Sequence, residues 1–434
     1  MIYRILTIFL LFLAFSPTAI GIAQTPPQAF EKLFNGKNLD GWYGLKTMDP
    51  RKMKAMSKEE FAKFRASTAA QTSAHWTAED GEIVNDGQGA YLTTEREFGD
   101  YEFWLEYKTV ANADSGIYLK ATPQVQIWDT TKAGGKWKIG ADKGSGGLWN
   151  NSAGAPGKDP LVLADKPFGQ WNKVRIIQLG ARTTVYLNGK LVVDHAIMEN
   201  YWGRKQPLVR KGPIQLQTHG GEIRWRNLFV REISPDEANG MLAAKHHDGF
   251  NSIFNGKDFS GWDGPIDNYQ VADGMLMCKK GKGGTIYTKK TYSDFKARLE
   301  FRLPPKGNNG LAIRYPGKGN TAYGGMCELQ ILNYDYPGKL DPRQFHGSAY
   351  GMAAAEQGYL RETGQWNFQE VTVVGSTIKV ELNGSVILNT DLSTIDKYMA
   401  NSAHPGKTNT SGSFGFAGHS DPVQFRNVSI KDLK

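Results

Sequence analysis

Apolar and polar positions along this chain alternate with a period of two over long stretches, and few segments show the three-to-four spacing of an amphipathic helix. Residues 101–110 and 295–303 interleave aromatic and aliphatic side chains with charged ones, as strands with one face on a core do. Asn188-Gly189 separates residues 183–187 from 190–193, and Asn383-Gly384 is flanked in the same way. Asn-Gly between two alternating runs predicts a tight hairpin, because both turn positions take positive φ. Further strands are predicted at residues 223–230 and 423–430. Two places break the pattern. Ser57-Lys58-Glu59-Glu60 is a capping box opening a helix within an insertion at about 46–74. Residues 234–248 form a polar linker whose 235–245 portion can make a short helix.

The pattern also repeats. Leu33-Phe34-Asn35-Gly36-Lys37-Asn38-Leu39-Asp40-Gly41-Trp42 returns as Ile253-Phe254-Asn255-Gly256-Lys257-Asp258-Phe259-Ser260-Gly261-Trp262. Ser115-Gly116-Ile117-Tyr118-Leu119-Lys120 returns as Asn309-Gly310-Leu311-Ala312-Ile313-Arg314. Trp171-Asn172, Leu187-Asn188-Gly189, His219 and Arg226-Asn227 recur in order as Trp366-Asn367, Leu382-Asn383-Gly384, His419 and Arg426-Asn427. An offset of about 200 residues is far beyond solenoid repeats, so each copy is expected to be a domain. The expected architecture is all-β: tandem antiparallel sandwiches or jelly rolls over residues 28–233 and 249–434, joined by the 234–248 linker.

Composition sharpens this only in places. Arg4, the apolar run 5–15 and Gly21-Ile22-Ala23 read as an export signal over residues 1–23, cut after Ala23. A secreted or periplasmic location follows. No later segment reaches the roughly 20 apolar residues of a membrane span. The net charge of +9 is dispersed among acids, without the basic stripe that nucleic acid demands. Cys278 and Cys327 could form one disulfide or lie as two apolar thiols in a sheet. No zinc-type spacing and no acidic calcium loop stands out. No cofactor is required; calcium and the oligomeric state stay open.

The shared opening Phe-Asn-Gly-Lys-x-x-x-Gly-Trp, the Ser/Asn-Gly-x-x-x-Lys/Arg strand, the Glu-x-Gln-x-x-Asn strand at 328–333, the Trp-Asn and the closing Arg-Asn together resemble the 3-keto-disaccharide hydrolase domain family, once per half. The resemblance implies a concanavalin A-like jelly roll and cleavage of glycosides already oxidised at C3. A C3 ketone acidifies the C2 proton, so one base can start elimination of the group on C1. Ordinary glycosidases need two carboxylates roughly 5 to 9.5 Å apart. Neither Gln124-Val125-Gln126-Ile127-Trp128-Asp129 nor Glu328-Leu329-Gln330-Ile331-Leu332-Asn333 carries two acids on one face.

Period-two geometry puts Glu328 and Gln330 on one face, opposite Leu329, Ile331 and Asn333. The C-terminal copy is therefore expected to hold the working cleft, with Glu328 or His419 as base and Arg314 and Gln330 as donors. Tyr350, His346, Lys120, Gln126, Asp129, Trp149 and His219 are candidate sugar contacts. Each also has a structural reading: a satisfied polar ladder, a salt bridge, or a buried ring. A non-catalytic glycan-binding protein is the alternative function, since fold does not fix activity.

Overall fold

The structure, a computed structural model, describes residues 28–433; the leader expected at 1–23 lies outside the described residues. It is all-β, with four antiparallel sheets forming two sandwiches. In each copy a five-stranded sheet packs on an eight-stranded one. The five-stranded sheet of the second copy runs Trp262–Asp263, Gly283–Tyr292, Gly412–His419, Asn308–Tyr315, Cys327–Leu332. Its counterpart in the first runs Trp42–Leu45, Tyr91–Phe98, Gly212–Leu216, Asp114–Leu119, Thr122–Trp128. A late strand thus lies between two early ones, which is the chain crossing of a jelly roll.

Alternation decides what faces inward. Cys327, Leu329 and Ile331 enter the second core with Trp262, Phe416 and Phe425. Phe416 stacks on Phe425 at 4.1 Å between centroids. Each such buried side chain contributes about 1.5–3 kcal/mol. Both cysteines are free and buried. Burial raises the thiol pKa of each, because a thiolate would be desolvated.

The first copy carries the helix Lys58–His75, closed by the reciprocal Ser57–Glu60 capping bonds. The linker holds the helix Pro235–Ala244, capped by Ser234 on Glu237. Its Ala238 and Leu242 form a small core with Ile177, Leu179 and Ile233 of the first copy and Phe368 of the second. The domains also meet directly. Arg182 donates twice to Glu381, at 2.8 and 2.6 Å. The hairpin tip Asn383-Gly384 abuts the Gly180 turn so closely that a Cβ on Gly180 would lie 2.2 Å from the Asn383 carbonyl. Among the described residues no helix is long and apolar enough to cross a membrane.

Candidate active site

The outer face of the second copy's five-stranded sheet holds two adjoining hollows of about 290 and 350 Å³ that share Asn320, Glu328 and His419. Strand alternation lifts Glu328 and Gln330 onto this face while Leu329 drops into the core. Gly310 lies directly opposite Gln330 in the ladder. Any Cβ there would sit 2.2 Å from Glu328 Oε1, so its absence lets the carboxylate lie across the neighbouring strand. His419 ends the strand Gly412–His419 and brings Nε2 to 3.4 Å from Glu328 Oε1. The hydrogen bond to Glu328 raises the imidazole pKa, outweighing the opposing effect of burial. The carboxylate is buried and the imidazole half-exposed. The pair is a basic imidazole held by an acid at its back.

Neutral groups complete the cleft. Gln330 donates to Asn308 Oδ1 at 3.0 Å, and its own Oε1 is buried with no protein partner. Leaving a buried acceptor unsatisfied costs about 1–3 kcal/mol, which a ligand hydroxyl would recover. Tyr350 lines the same hollow and accepts from Gln344 at 3.2 Å. Tyr323 and Tyr336 add aromatic wall, and Tyr287 and Tyr315 do so on the far side of Glu328. Behind Tyr323, buried His404 contacts its ring at 4.7 Å and bonds the Ala322 carbonyl through Nδ1, bracing the short helix Thr321–Gly324. Among the described residues no cluster of His, Cys, Asp and Glu could hold a metal ion.

Arg314 does not reach this cleft. At φ 47° the strand bulges, and the buried guanidinium turns to Asp294 and to the carbonyls of Ser293, Gly375 and Asn409. Lys120 does the same work in the first copy at φ 55°, donating to the Gly180 carbonyl at 2.7 Å. Gly180 and Gly375 occupy the same repeat position, so both cations staple one sheet to the hairpin turn of the other. Burial depresses the Lys120 pKa to about 8. His346 is likewise internal, stacked on Phe301 at 5.1 Å and accepting from the Leu332 N–H. Burial pushes its pKa down to about 3.

The first copy has filled the equivalent face. Gln215, Gln217 and Tyr118 stand where the second copy has Gly415, Ala417 and Ala312. A Cβ on Gly116 would meet Gln217 Oε1 at 2.8 Å. Gln124 bonds Gln126, which donates to Asp114 at 2.8 Å. Asp114 also receives Lys136 and sits 3.0 Å from His219. Gln126 is thus engaged in a buried network, which the exposed His219 joins at its edge through Asp114. Asp129 caps a turn, accepting from the N–H groups of Asn112 and Thr131 and from the Thr131 hydroxyl. Burial raises its pKa, but these bonds prevail and hold it below the usual range. Trp149 packs edge-on against Trp128 at 6.2 Å and donates to Ile139.

The predicted residues that converge on the cleft are therefore Glu328, Gln330, His419 and Tyr350. Asn308, Asn320, Tyr323, Tyr336 and Gln344 were missed. The exchange of large for small residues between the copies, Gln217 against Ala417 above all, was the sequence signal for which half is open.

Comparison with known proteins agrees with the two-copy reading. A 3-keto-disaccharide hydrolase of Bacteroides thetaiotaomicron is 27% identical over 249 residues, covering 47% of this chain and 86% of that protein. The crystal structure of a candidate glycosyl hydrolase from Parabacteroides distasonis is 26% identical, with 43% of this chain and 96% of that one covered and a TM-score of 0.39. A second structure from the same organism is 24% identical, covering 42% and 99%, with a TM-score of 0.38. The 3-keto-alpha-glucoside-1,2-lyase-like domain matches residues 29–231 and again 249–431. The chain therefore belongs to the 3-keto-alpha-glucoside-1,2-lyase-like domain family, which it contains twice.

Proposed function

We propose that the C-terminal copy cleaves 3-keto-glycosides, 3-keto-disaccharides among them, by removing the proton at C2 and expelling the group on C1. One observation carries this reading: Glu328 and His419 form a single acid–imidazole pair in a cleft otherwise lined by neutral amides, hydroxyls and aromatic rings. Among the described residues no second carboxylate lines the hollows, Asp421 lying outside them beside Asn308, and a C3 ketone removes the need for one.

His419 accepts the C2 proton, and the C–H electron pair becomes the C2=C3 bond of an enolate. Glu328 stabilises the imidazolium that forms. The Asn308 amide, whose oxygen is already occupied by Gln330, offers its N–H to the enolate oxygen. Collapse restores the C3 carbonyl, forms C1=C2 and breaks the C1–O bond, with the leaving oxygen taking the proton from His419. Water adding across C1=C2 then gives net hydrolysis. No redox partner is needed, because the ketone is present at the start and the end. The leader expected at 1–23 supports action outside the cytoplasm, after export.

The test is to incubate the protein with a disaccharide before and after C3 oxidation, in deuterated water. Sugar release from the oxidised form alone, with deuterium at C2, is expected. His419→Ala should lower turnover by about 10²–10⁴-fold. Equal cleavage of the unoxidised sugar would overturn the reading. Tight binding of the oxidised sugar without release would assign the cleft to glycan recognition instead.

A further inference from the structure

The two copies share one backbone path where the chain returns to the eight-stranded sheet. Leu161 N–H bonds the Val192 carbonyl at 2.8 Å, as Glu356 bonds that of Ile387 at 2.9 Å. Asn188 donates to the Ala164 carbonyl as Asn383 does to that of Tyr359. Lys166 N–H bonds Asn172 as Arg361 N–H bonds Asn367, both at 2.9 Å. These matched bonds align Leu161-Val162-Leu163 with Glu356-Gln357-Gly358, and all six residues are exposed. The fold therefore tolerates polar residues or glycine at these positions, yet the first copy presents three aliphatic ones, Leu161 at 65% exposure and Leu163 at 50%.

They do not stand alone. The neighbouring segment is tied alongside by Lys143–Asp159 and by Ser145 N–H to Asp165, and Gly144 lies against Leu163. That segment exposes Trp137 and Ile139, Ile139 at 53%. Isolated apolar residues are ordinary on a surface, but clustered protruding ones are not. Around them the stretch 131–168 carries six lysines against three aspartates, Lys136 being paired with Asp114 outside it. Lys132 and Lys138 are exposed, Lys143 is paired with Asp159, and Asp142 is the exposed acid opposing them.

We infer that this loop pair is a peripheral docking surface for an anionic phospholipid bilayer. Protruding leucines and an interfacial tryptophan enter the headgroup boundary while lysines meet the lipid phosphates, a combination that suits a membrane face. The surface lies in the first copy and does not involve Glu328 or His419.

The experiment is sedimentation of the purified full chain with phosphatidylcholine vesicles, with and without phosphatidylglycerol. Binding to the phosphatidylglycerol vesicles, weakened by added salt, is expected. The double variant Leu161→Ser/Leu163→Ser should bind at least about tenfold more weakly and melt at the same temperature, since both positions are exposed. Lys132→Glu/Lys138→Glu should also weaken binding. Failure of the chain to bind phosphatidylglycerol vesicles, or unchanged binding by the leucine variant, would overturn the proposal. So would concentration-dependent self-association that the leucine variant abolishes with no vesicle binding, which would give the surface to a second copy.

Discussion

Glu328 and His419 show how a modest contact sets chemistry. At 3.4 Å the carboxylate favours the imidazolium, so the histidine stays protonated to higher pH than a free imidazole would. A base must be unprotonated to act. The acid limb of kcat/KM is therefore expected to fall above the ordinary histidine value of about 6.5. Glu328→Gln removes the charge while keeping the shape, so it should move that limb to lower pH and reduce kcat. A merely structural Glu328 would leave the limb where it was, which a pH–rate profile would reveal. Arg314 teaches the converse lesson. Its residue type fitted a substrate donor, but a positive φ at a bulge turned it away from the cleft and into a buried staple.

At the scale of the element, the strand Gly412–His419 decides which copy is open. Its inward residues Phe414 and Phe416 match Ile214 and Leu216 in filling the core. Its outward residues differ: Ala417 lines the hollow where Gln217 fills the first copy, while Gly415 lets the strand press on the Ile286 carbonyl. Ala417→Gln should fill the hollow beside His419 and cut affinity for the oxidised sugar by at least about tenfold, with little change in melting temperature. Isothermal titration would show it; undiminished affinity would mean that the sugar binds elsewhere. The cleft walls come from connections. The turn Thr321–Gly324 is braced by His404, and Gln344 and Tyr350 stand on the segment after the strand Cys327–Leu332. Such walls obey no periodicity, which is why Asn320, Tyr323 and Tyr336 escaped a pattern-based reading while Glu328 and Gln330 did not.

Across the whole molecule, the two sandwiches are joined by more than a tether. The linker helix contributes Ala238 and Leu242 to a shared apolar seam, and Arg182 forks onto Glu381 across the boundary. Both partners of that fork are largely buried, so removing one strands the other. Glu381→Ala is expected to cost about 3–5 kcal/mol and to separate the unfolding of the domains, visible as two calorimetric transitions in place of one. A single transition at an unchanged temperature would show that the interface contributes little. The first copy keeps the same sheets, but Gln124, Gln126 and Gln217 occupy the face that stands open in the second.

The sequence by itself determined the repeat, the all-β class and the inward and outward sides of each strand. All of these follow from local periodicity and from turns that need particular residues. It also placed Glu328 and Gln330 on one face and singled out His419 as a candidate base. Only the tertiary structure decided that His419 meets Glu328, that Arg314, Lys120 and His346 are internal, and that one groove is open while the other is filled. Those outcomes depend on which strands share a sheet after about 90 residues of intervening chain, as Glu328 and His419 do across the strand Asn308–Tyr315. No period written along a single strand records its neighbour.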